Sequence, residues 1–254
     1  LKRKYSKNSV KDLINYLKEV EEELKNLEFG DEELTRLREE YNSLITKLKT
    51  LSIDLSRKRI SKALELDKKV EEKLRQLAME KAIFKTDIKY YEDKEGLIEI
   101  DNKKVEVNEK GIDRVQFLIS VNPGENLKPL KDVASGGEIS RIMLAIKSVL
   151  SDVSEVDMMV FDEIDTGIGG NTANTVGEII KSLSQKQQII VITHLPQVAS
   201  KANSHYKIEK IFEKGNTYIL VKKLSVNERI EEIARMIGNI SETGLKYAEE
   251  MLKK

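Results

Sequence analysis

The apolar positions of the first eighty residues fall on a seven-residue repeat. Leu13, Leu17, Val20, Leu24 and Leu27 step alternately by four and three. Beyond Phe29-Gly30-Asp31, Leu34, Leu37, Tyr41, Leu44, Leu48, Leu51 and Leu55 keep the same alternation and the same register. The phase slips once at Arg57-Lys58-Arg59 and recovers with Ala63, Leu66, Val70, Leu74 and Leu77. A seam two positions in seven wide, flanked by charge, predicts a coiled-coil helix. A helical hairpin lying on a globular body would show a wider apolar stripe. About 70 helical residues reach roughly 105 Å, far beyond one domain. Ser9 is placed to cap the start, with Asp12 reciprocating three residues on. Gly30 predicts a break or bend. So long a seam needs a partner helix, and no second segment of comparable length follows. The partner is expected from another polypeptide or from a further part of a longer chain.

From Ala82 the period changes from seven to two. Phe84, Thr86, Ile88 and Tyr90 alternate with polar residues, and Leu97–Ile100 and Val115–Ile119 follow as further antiparallel strands. Turns are expected at Asp93-Lys94-Glu95-Gly96 and Glu109-Lys110-Gly111, and Asn122-Pro123-Gly124 closes the last strand. A helix over 137–150, a strand at 157–161, a helix over 172–183 and a strand at 189–192 predict a parallel α/β layer. A short helix at 196–202, closing strands over 208–224 and helices at 227–237 and 241–252 complete the chain, with Gly238 as a stop. The reading is therefore two domains: a coiled-coil arm over 1–81 and an α/β lobe over 82–254.

Composition sharpens this division. Charged residues make up 35% of the 254 and hydrophobic ones 39%, as expected when a solvated helical region dilutes a core-bearing domain. The net charge is zero, but residues 1–85 carry 21 Lys+Arg against 17 Asp+Glu and the remainder 23 against 27. A bias of that size is weak support for a polyanion partner. With no cysteine, disulfides and thiolate metal sites are excluded. No apolar run approaches the ~18 residues that span a bilayer. The start, Leu1-Lys2-Arg3-Lys4-Tyr5, has no signal-peptide core and no initiator Met, as a cut through a longer chain would.

Three stretches of the lobe carry candidate chemistry. Ala134-Ser135-Gly136-Gly137-Glu138 is a glycine turn opening a helix, where amide hydrogens and the helix dipole attract an anion. The plainer reading is an ordinary helix start, Ser135 capping and Glu138 as its third-position partner. Met158-Met159-Val160-Phe161-Asp162-Glu163 reads as a buried parallel strand ending in two carboxylates. Asp162 is placed to hold Mg²⁺ and Glu163 to orient and deprotonate an attacking water. Alternatively both are surface carboxylates after a core strand. Ile192-Thr193-His194 ends the next strand, where His194 can reach a γ-phosphate oxygen or the attacking water, although a lone histidine is more often structural. His205 is assigned a surface or structural role.

The order and spacing of these stretches resemble the C-terminal half of an ABC-type ATPase head, a partial P-loop fold. Ser135-Gly136-Gly137-Glu138 stands for the signature motif, Asp162-Glu163 for Walker B, Asp165 for the D-loop and His194 for the switch histidine. The phosphate loop Gly-x-x-x-x-Gly-Lys-Ser/Thr has no match anywhere in the chain. In arm-bearing heads that loop belongs to an N-terminal lobe preceding an antiparallel coiled-coil arm, whose returning strand leads into the second lobe. Among such heads the chain resembles the RecN family of bacterial DNA repair proteins. The resemblance rests on Asn122-Pro123-Gly124-Glu125, on Val133 through Ala145, on Phe161-Asp162-Glu163-Ile164-Asp165-Thr166-Gly167-Ile168, on Thr193 through Ala199 and on Glu232-Ile233-Ala234-Arg235-Met236.

That resemblance implies a cytoplasmic, nucleoid-associated ATPase of the structural-maintenance-of-chromosomes type, acting in recombinational repair of double-strand breaks with ATP and Mg²⁺. Its implied partners are the N-terminal lobe, a second protomer in a homodimer, DNA and the recombinase, with no membrane. Asp162 and Glu163 are expected to serve their own head's nucleotide, and Ser135 and Gly137 the γ-phosphate on the opposite head. Asp165 is expected at the dimer contact and His194 as γ-phosphate sensor. Without the phosphate loop the chain alone is expected to be inactive. The alternative is a nucleotide-independent coiled-coil scaffold that binds DNA or a protein, for which Arg57-Lys58-Arg59 with Lys62 is the candidate surface.

Overall fold

The computed structural model describes residues 1, 3–153, 156–213 and 216–253, with the side chains of all of these except 26–32 and 213. The chain forms two compact units, one of residues 1–59 with 89–114 and the other of 60–88 with 115–254. A single helix, α1 (Val10–Gln76), enters both.

In the first unit, Ser9 and Asp12 cap α1 reciprocally. The Ser9 amide donates to Asp12 Oδ2 at 2.8 Å and the Asp12 amide to Ser9 Oγ at 3.0 Å. The break expected at Gly30 does not occur, because α1 is helical on both sides of it and through it. A glycine in a helix interior costs only about 1 kcal/mol relative to alanine, too little to break a long run. The side chains of Leu27, Phe29 and Asp31 are not among those described. Elsewhere on the seam Leu17, Leu24, Leu34, Leu37, Tyr41, Leu44 and Leu51 stand exposed on an otherwise charged helix.

Residues 89–114 add a small hairpin to this unit, β2 (Ile98–Ile100) against β3 (Lys103–Val105). The turn between them uses Asp101 and Asn102 at φ 50° and 63°, the left-handed region that Asp and Asn tolerate. Ile98, Val105 and Ile112 are buried together, with Leu48 of α1 packed against them. Arg59 donates to Asp113 Oδ2 at 2.8 Å, and the Asp113 side chain is only 1% exposed. Arg59→Met strands that carboxylate without its cation, and the expected cost is about 1–3 kcal/mol. Thermal unfolding of this variant beside Asp113→Asn checks it, the first falling further.

The second unit is built on the far end of the same seam. Val70, Leu74 and Leu77 are fully buried in one core with Phe84, Ile119, Ile142, Leu144 and Ile164. The chain there runs through β1 (Ile83–Lys89), β4 (Arg114–Ser120) and β5 (Lys128–Pro129), a sheet in the order β1-β4-β5. Asp67 and Glu71 of α1 hold β1, accepting from the Thr86 amide at 2.9 Å and the Phe84 amide at 3.2 Å. Then come α2 (Gly136–Val149), β6 (Met158–Phe161), α3 (Gly170–Leu183), β7 (Gln188–Val191) and a short α4 (Pro196–Ala199). β6 and β7 pair in parallel with Phe161 opposite Val191, the layer the strand–helix–strand order predicts. One face of that pair is bare: Met159 and Phe161 are buried, while Met158, Val160, Ile190 and Ile192 are exposed. The expectation of a strand buried on both faces therefore holds for one face only, because nothing in the described chain covers the other.

The unit closes with the hairpin β8 (Tyr206–Glu213) and β9 (Asn216–Lys223), then α5 (Val226–Ile237) and α6 (Glu242–Lys253). Gly238, at φ 81°, stops α5 as expected. Ser225 and Glu228 form a full capping box at its start, and Lys222 pairs with Glu228. The Lys222 hydrogen bond first, then the Ser225 backbone and side chain, pull the Glu228 carboxyl down to about 2. A carboxyl depressed on folding stabilises the folded state above its ordinary value and ceases to do so as the pH falls through the folded one. The cap is therefore expected to weaken between about 4.5 and 2. A carboxyl-carbon NMR titration of Glu228 reads this directly, and a midpoint near the ordinary glutamate value contradicts it.

Candidate functional site

The glycine turn, the carboxylates and the histidine come together at one end of the β6–β7 pair. Ser135 caps α2 by accepting from the Glu138 amide at 3.4 Å, so the plain helix-start geometry is present whatever else the turn does. Gly136 and Gly137 lie directly against the segment that leaves β6. A Cβ on Gly136 would collide with Glu163 Oε2, and one on Gly137 would come within 2.9 Å of the Thr166 Cβ and 3.2 Å of two carbonyl oxygens. Close approach to the Thr166 Cβ and to backbone oxygens favours glycine at 137, whereas at 136 the clash is with the tip of an exposed glutamate side chain that can swing aside.

Two residues just inside α2 hold the same segment at both ends. Ser140 Oγ donates to the Asp162 carbonyl at 2.8 Å, and Arg141 Nη1 donates to the Thr166 carbonyl at 2.7 Å. Arg141 is buried, and burial lowers its pKa, with Glu138 opposing. Its Nε has no partner among the described residues. Neither Ser140 nor Arg141 was singled out by the sequence. They lie one helical turn beyond the glycines, and only the position of 162–166 over α2 gives them a role. A cavity of about 290 Å³, lined by Ile139, Met143, Lys147 and Val160 among others, flanks this contact.

Between the clamps the chain turns sharply. The Glu163 amide donates to Asp162 Oδ1 at 2.9 Å, and the Thr166 amide to the Glu163 carbonyl at 3.1 Å. Glu163 itself sits at φ 55°, the left-handed region that costs a non-glycine residue about 1–2 kcal/mol. Ile164 is fully buried and anchors the turn, leaving Asp162 and Glu163 exposed on its outer side. The side chain of Glu163 leans over Gly136, so the glycine turn and the carboxylates are in contact within one chain.

Asp165 points the other way, into the protein. It is 4% exposed, and its Oδ2 accepts from Thr193 Oγ1 at 2.5 Å and from the His194 amide at 2.8 Å, with the ring nitrogen Nδ1 of His194 3.0 Å away. Thr193 in turn accepts from the Leu195 amide at 3.0 Å, starting α4. The imidazole of His194 is 74% exposed. His205 is half-buried and away from these residues in the sequence; burial first, then the Arg229 guanidinium, push its pKa down.

As for what the site can hold, no group of three or more His, Cys, Asp or Glu suited to a metal occurs among the described residues. A lone exposed Asp162 fits Mg²⁺, which keeps several waters and takes one or two carboxylates beside phosphate oxygens. In the basic stretch at 57–62, Arg59 pairs with the buried Asp113, while Lys58 with Asp54 at 2.7 Å and Lys62 with Glu65 at 3.0 Å are exposed surface pairs. Among the described residues no helix is long and apolar enough to cross a membrane.

No protein-family model matches the chain. Among curated proteins, it is 40% identical over 258 residues to the DNA repair protein RecN of Bacillus subtilis, an alignment covering all of this chain and 44% of that one. RecN of Rickettsia bellii is 40% identical over 254 residues, covering 99% of this chain and 44% of the relative. RecN of Vibrio cholerae is 35% identical over 233 residues, covering 91% and 40%. Among solved structures, an Smc head domain with coiled coil and joint from Pyrococcus yayanosii has a TM-score of 0.44 at 18% identity, over 77% of this chain and 30% of that one, too slight a likeness to carry weight. The chain spans under half the length of the curated relatives it matches. Matched over its whole length at 40% identity by RecN proteins, the chain belongs to the RecN family.

Proposed function

We propose that the chain is the C-terminal part of an SMC-like ATPase, residues 1–81 forming the returning arm and 82–254 the second lobe of the head, with the last turns of α1 rooted in that lobe. In this reading ATP and Mg²⁺ bind where the lobe meets an N-terminal lobe that carries the phosphate loop. The observation that carries it is the convergence of the α2 N-terminus, the Asp162-Glu163 turn and His194 at one edge of a parallel strand pair, where α/β proteins bind their ligands. The bare face of Met158, Val160, Ile190 and Ile192 supports it too, since an apolar strip beside a site is a docking surface for a missing layer.

Within that site each group has a distinct task. Mg²⁺, when bound, would offset charge on the phosphate oxygens, and Asp162 is the residue that would hold it. Glu163 is the general base for the attacking water. Ser135, Gly136 and Gly137, with Glu138 behind them, offer the α2 N-terminus to the γ-phosphate of a nucleotide on a second protomer. His194, held by Asp165, faces the reacting end. Ser140 and Arg141 join α2 to the carboxylate turn, so a phosphate arriving at one is felt at the other. Head engagement driven by ATP would act through the arms on DNA during repair of double-strand breaks in the cytoplasm, with a recombinase as a further partner.

The exposed seam of α1 fits a partner arm. Mixing this chain with the matching N-terminal lobe and following Mg-ATP turnover tests the proposal. Turnover is expected in the mixture and in neither part alone. A mixture that forms a complex yet hydrolyses nothing overturns it.

A further inference from the structure

We propose that Asp67 and Glu71 form a register lock that fixes the last turns of α1 against the edge of β1 in a single axial position, so that the arm shifts along its own axis only by carrying β1 with it. The inference uses the division into arm and lobe but not the ATPase reading. All of its residues lie in the unit of 60–88 and 115–254.

β1 is an edge strand, paired on one side with β4. The amides of Phe84 and Thr86 point off its other side, where an edge strand leaves its donors to water or to an added strand. Here two carboxylates of α1 take that place. Glu71 Oε1 accepts from the Phe84 amide at 3.2 Å, and Asp67 Oδ1 accepts from the Thr86 amide at 2.9 Å and from Thr86 Oγ1 at 2.6 Å. The spacings suit one another, since four residues of helix rise about 6 Å and two residues of strand about 6.7 Å. Phe84 is buried, and Thr86 and both carboxylates are half-buried, so an amide left without its acceptor is not simply returned to water.

Apolar packing alone selects this position poorly. Leu66, Val70 and Leu74 face the core at four-residue intervals, and a slide of one turn exchanges one aliphatic side chain for another at the positions they share. The connection over 77–82 reaches up to roughly 20 Å and does not by itself forbid such a slide. The polar line beside them does discriminate. Ala63, Asp67, Glu71 and Arg75 follow at the same interval along α1. A slide of one turn in one direction sets Ala63 opposite Thr86, and in the other sets Arg75 opposite Phe84. Neither a methyl group nor a guanidinium accepts a hydrogen bond. Only the observed position gives both amides an acceptor, the use of polar groups that also fixes register in coiled coils. β1 hands this position on to its sheet: the Phe84 ring lies 5.4 Å from that of Phe117 on β4, and β5 beyond it leads to the glycine turn at Ser135.

The test uses the chain alone and no nucleotide. Hydrogen exchange is expected to show the Phe84 and Thr86 amides protected. Asp67→Leu is expected to speed exchange at Thr86, and Glu71→Leu at Phe84, by about 10- to 100-fold, while Asp67→Asn, which keeps an acceptor oxygen, retains most of the protection. The chain has no cysteine, so spin labels at Leu64→Cys and Val153→Cys, both exposed positions, report one distance between α1 and the lobe. A single distance is expected in the otherwise unsubstituted chain. A second population is expected in Asp67→Leu and more of it in Asp67→Leu/Glu71→Leu, as a one-turn slide moves the α1 label by about 6 Å. Unprotected amides in the unsubstituted chain overturn the inference, and that reading requires no variant to fold. Amides freed by the leucine substitutions while the distance stays single overturn it as well, because the carboxylates then bond β1 without setting its register.

Discussion

Glu163→Gln is expected to reduce Mg-ATP turnover by the completed head about 10²- to 10⁴-fold, the range typical for removal of a general base. The two side chains have the same shape, but an amide cannot take a proton from water. Because Glu163 is exposed and its carboxylate rests over a glycine, the substitution leaves the core untouched. Its melting temperature should match that of the unsubstituted chain. Loss of turnover with unchanged folding is the signature of lost chemistry; turnover that survives places the base elsewhere. The backbone at this position adds a second reading. Holding a glutamate at φ 55° is a strain that persists only where surrounding structure enforces it, here Ser140 and Arg141 gripping the two ends of the turn.

The largest loss of stability is expected from Ile164→Ala, about 2–5 kcal/mol by the usual cost of emptying a buried isoleucine site. Ile164 is fully buried between Glu163 and Asp165 and shares a core with Ile142 and Leu144 of α2. Its neighbours in sequence point to solvent and to His194 respectively, so this one side chain anchors a turn otherwise made of polar groups. A domain with 5–15 kcal/mol of total stability has little margin for such a change. Urea unfolding of the chain measures it, and a loss below about 1 kcal/mol means that the turn is held chiefly by the Ser140 and Arg141 hydrogen bonds.

Much of the fold is written in local patterns. The heptads of α1, the change to alternation at Ala82 and the strand–helix–strand order each follow from side-chain periods that a single element imposes. The short pairings did not show: β3 and β5 have three and two residues, too few for any period to register. Gly30 misled because a propensity of about 1 kcal/mol was set against a helix continuing on both sides. In the site, the positions of the glycines, carboxylates and histidine were legible as motifs. Their mutual contacts were not. Asp165 reaches His194 across 29 residues, and Arg141 reaches Thr166 across 25, distances at which only the register of β6 against β7 and the placement of α2 decide who meets whom. That Asp165 is 4% exposed and bonded to Thr193 and His194 was not legible in the sequence for that reason.

The two motifs touch within one chain, yet in the proposed head dimer they serve nucleotides on different protomers. Mixing two inactive heads, each completed with its N-terminal lobe, tests this most directly. One carries Glu163→Gln, the other Ser135→Arg to block phosphate approach to the α2 N-terminus. If the motifs serve opposite nucleotides, a mixed pair contains one intact site built from the glycine turn of the first head and the carboxylates of the second, and the mixture regains part of the wild-type turnover. If both serve the same nucleotide within one head, each remains defective and the mixture stays as inactive as its components.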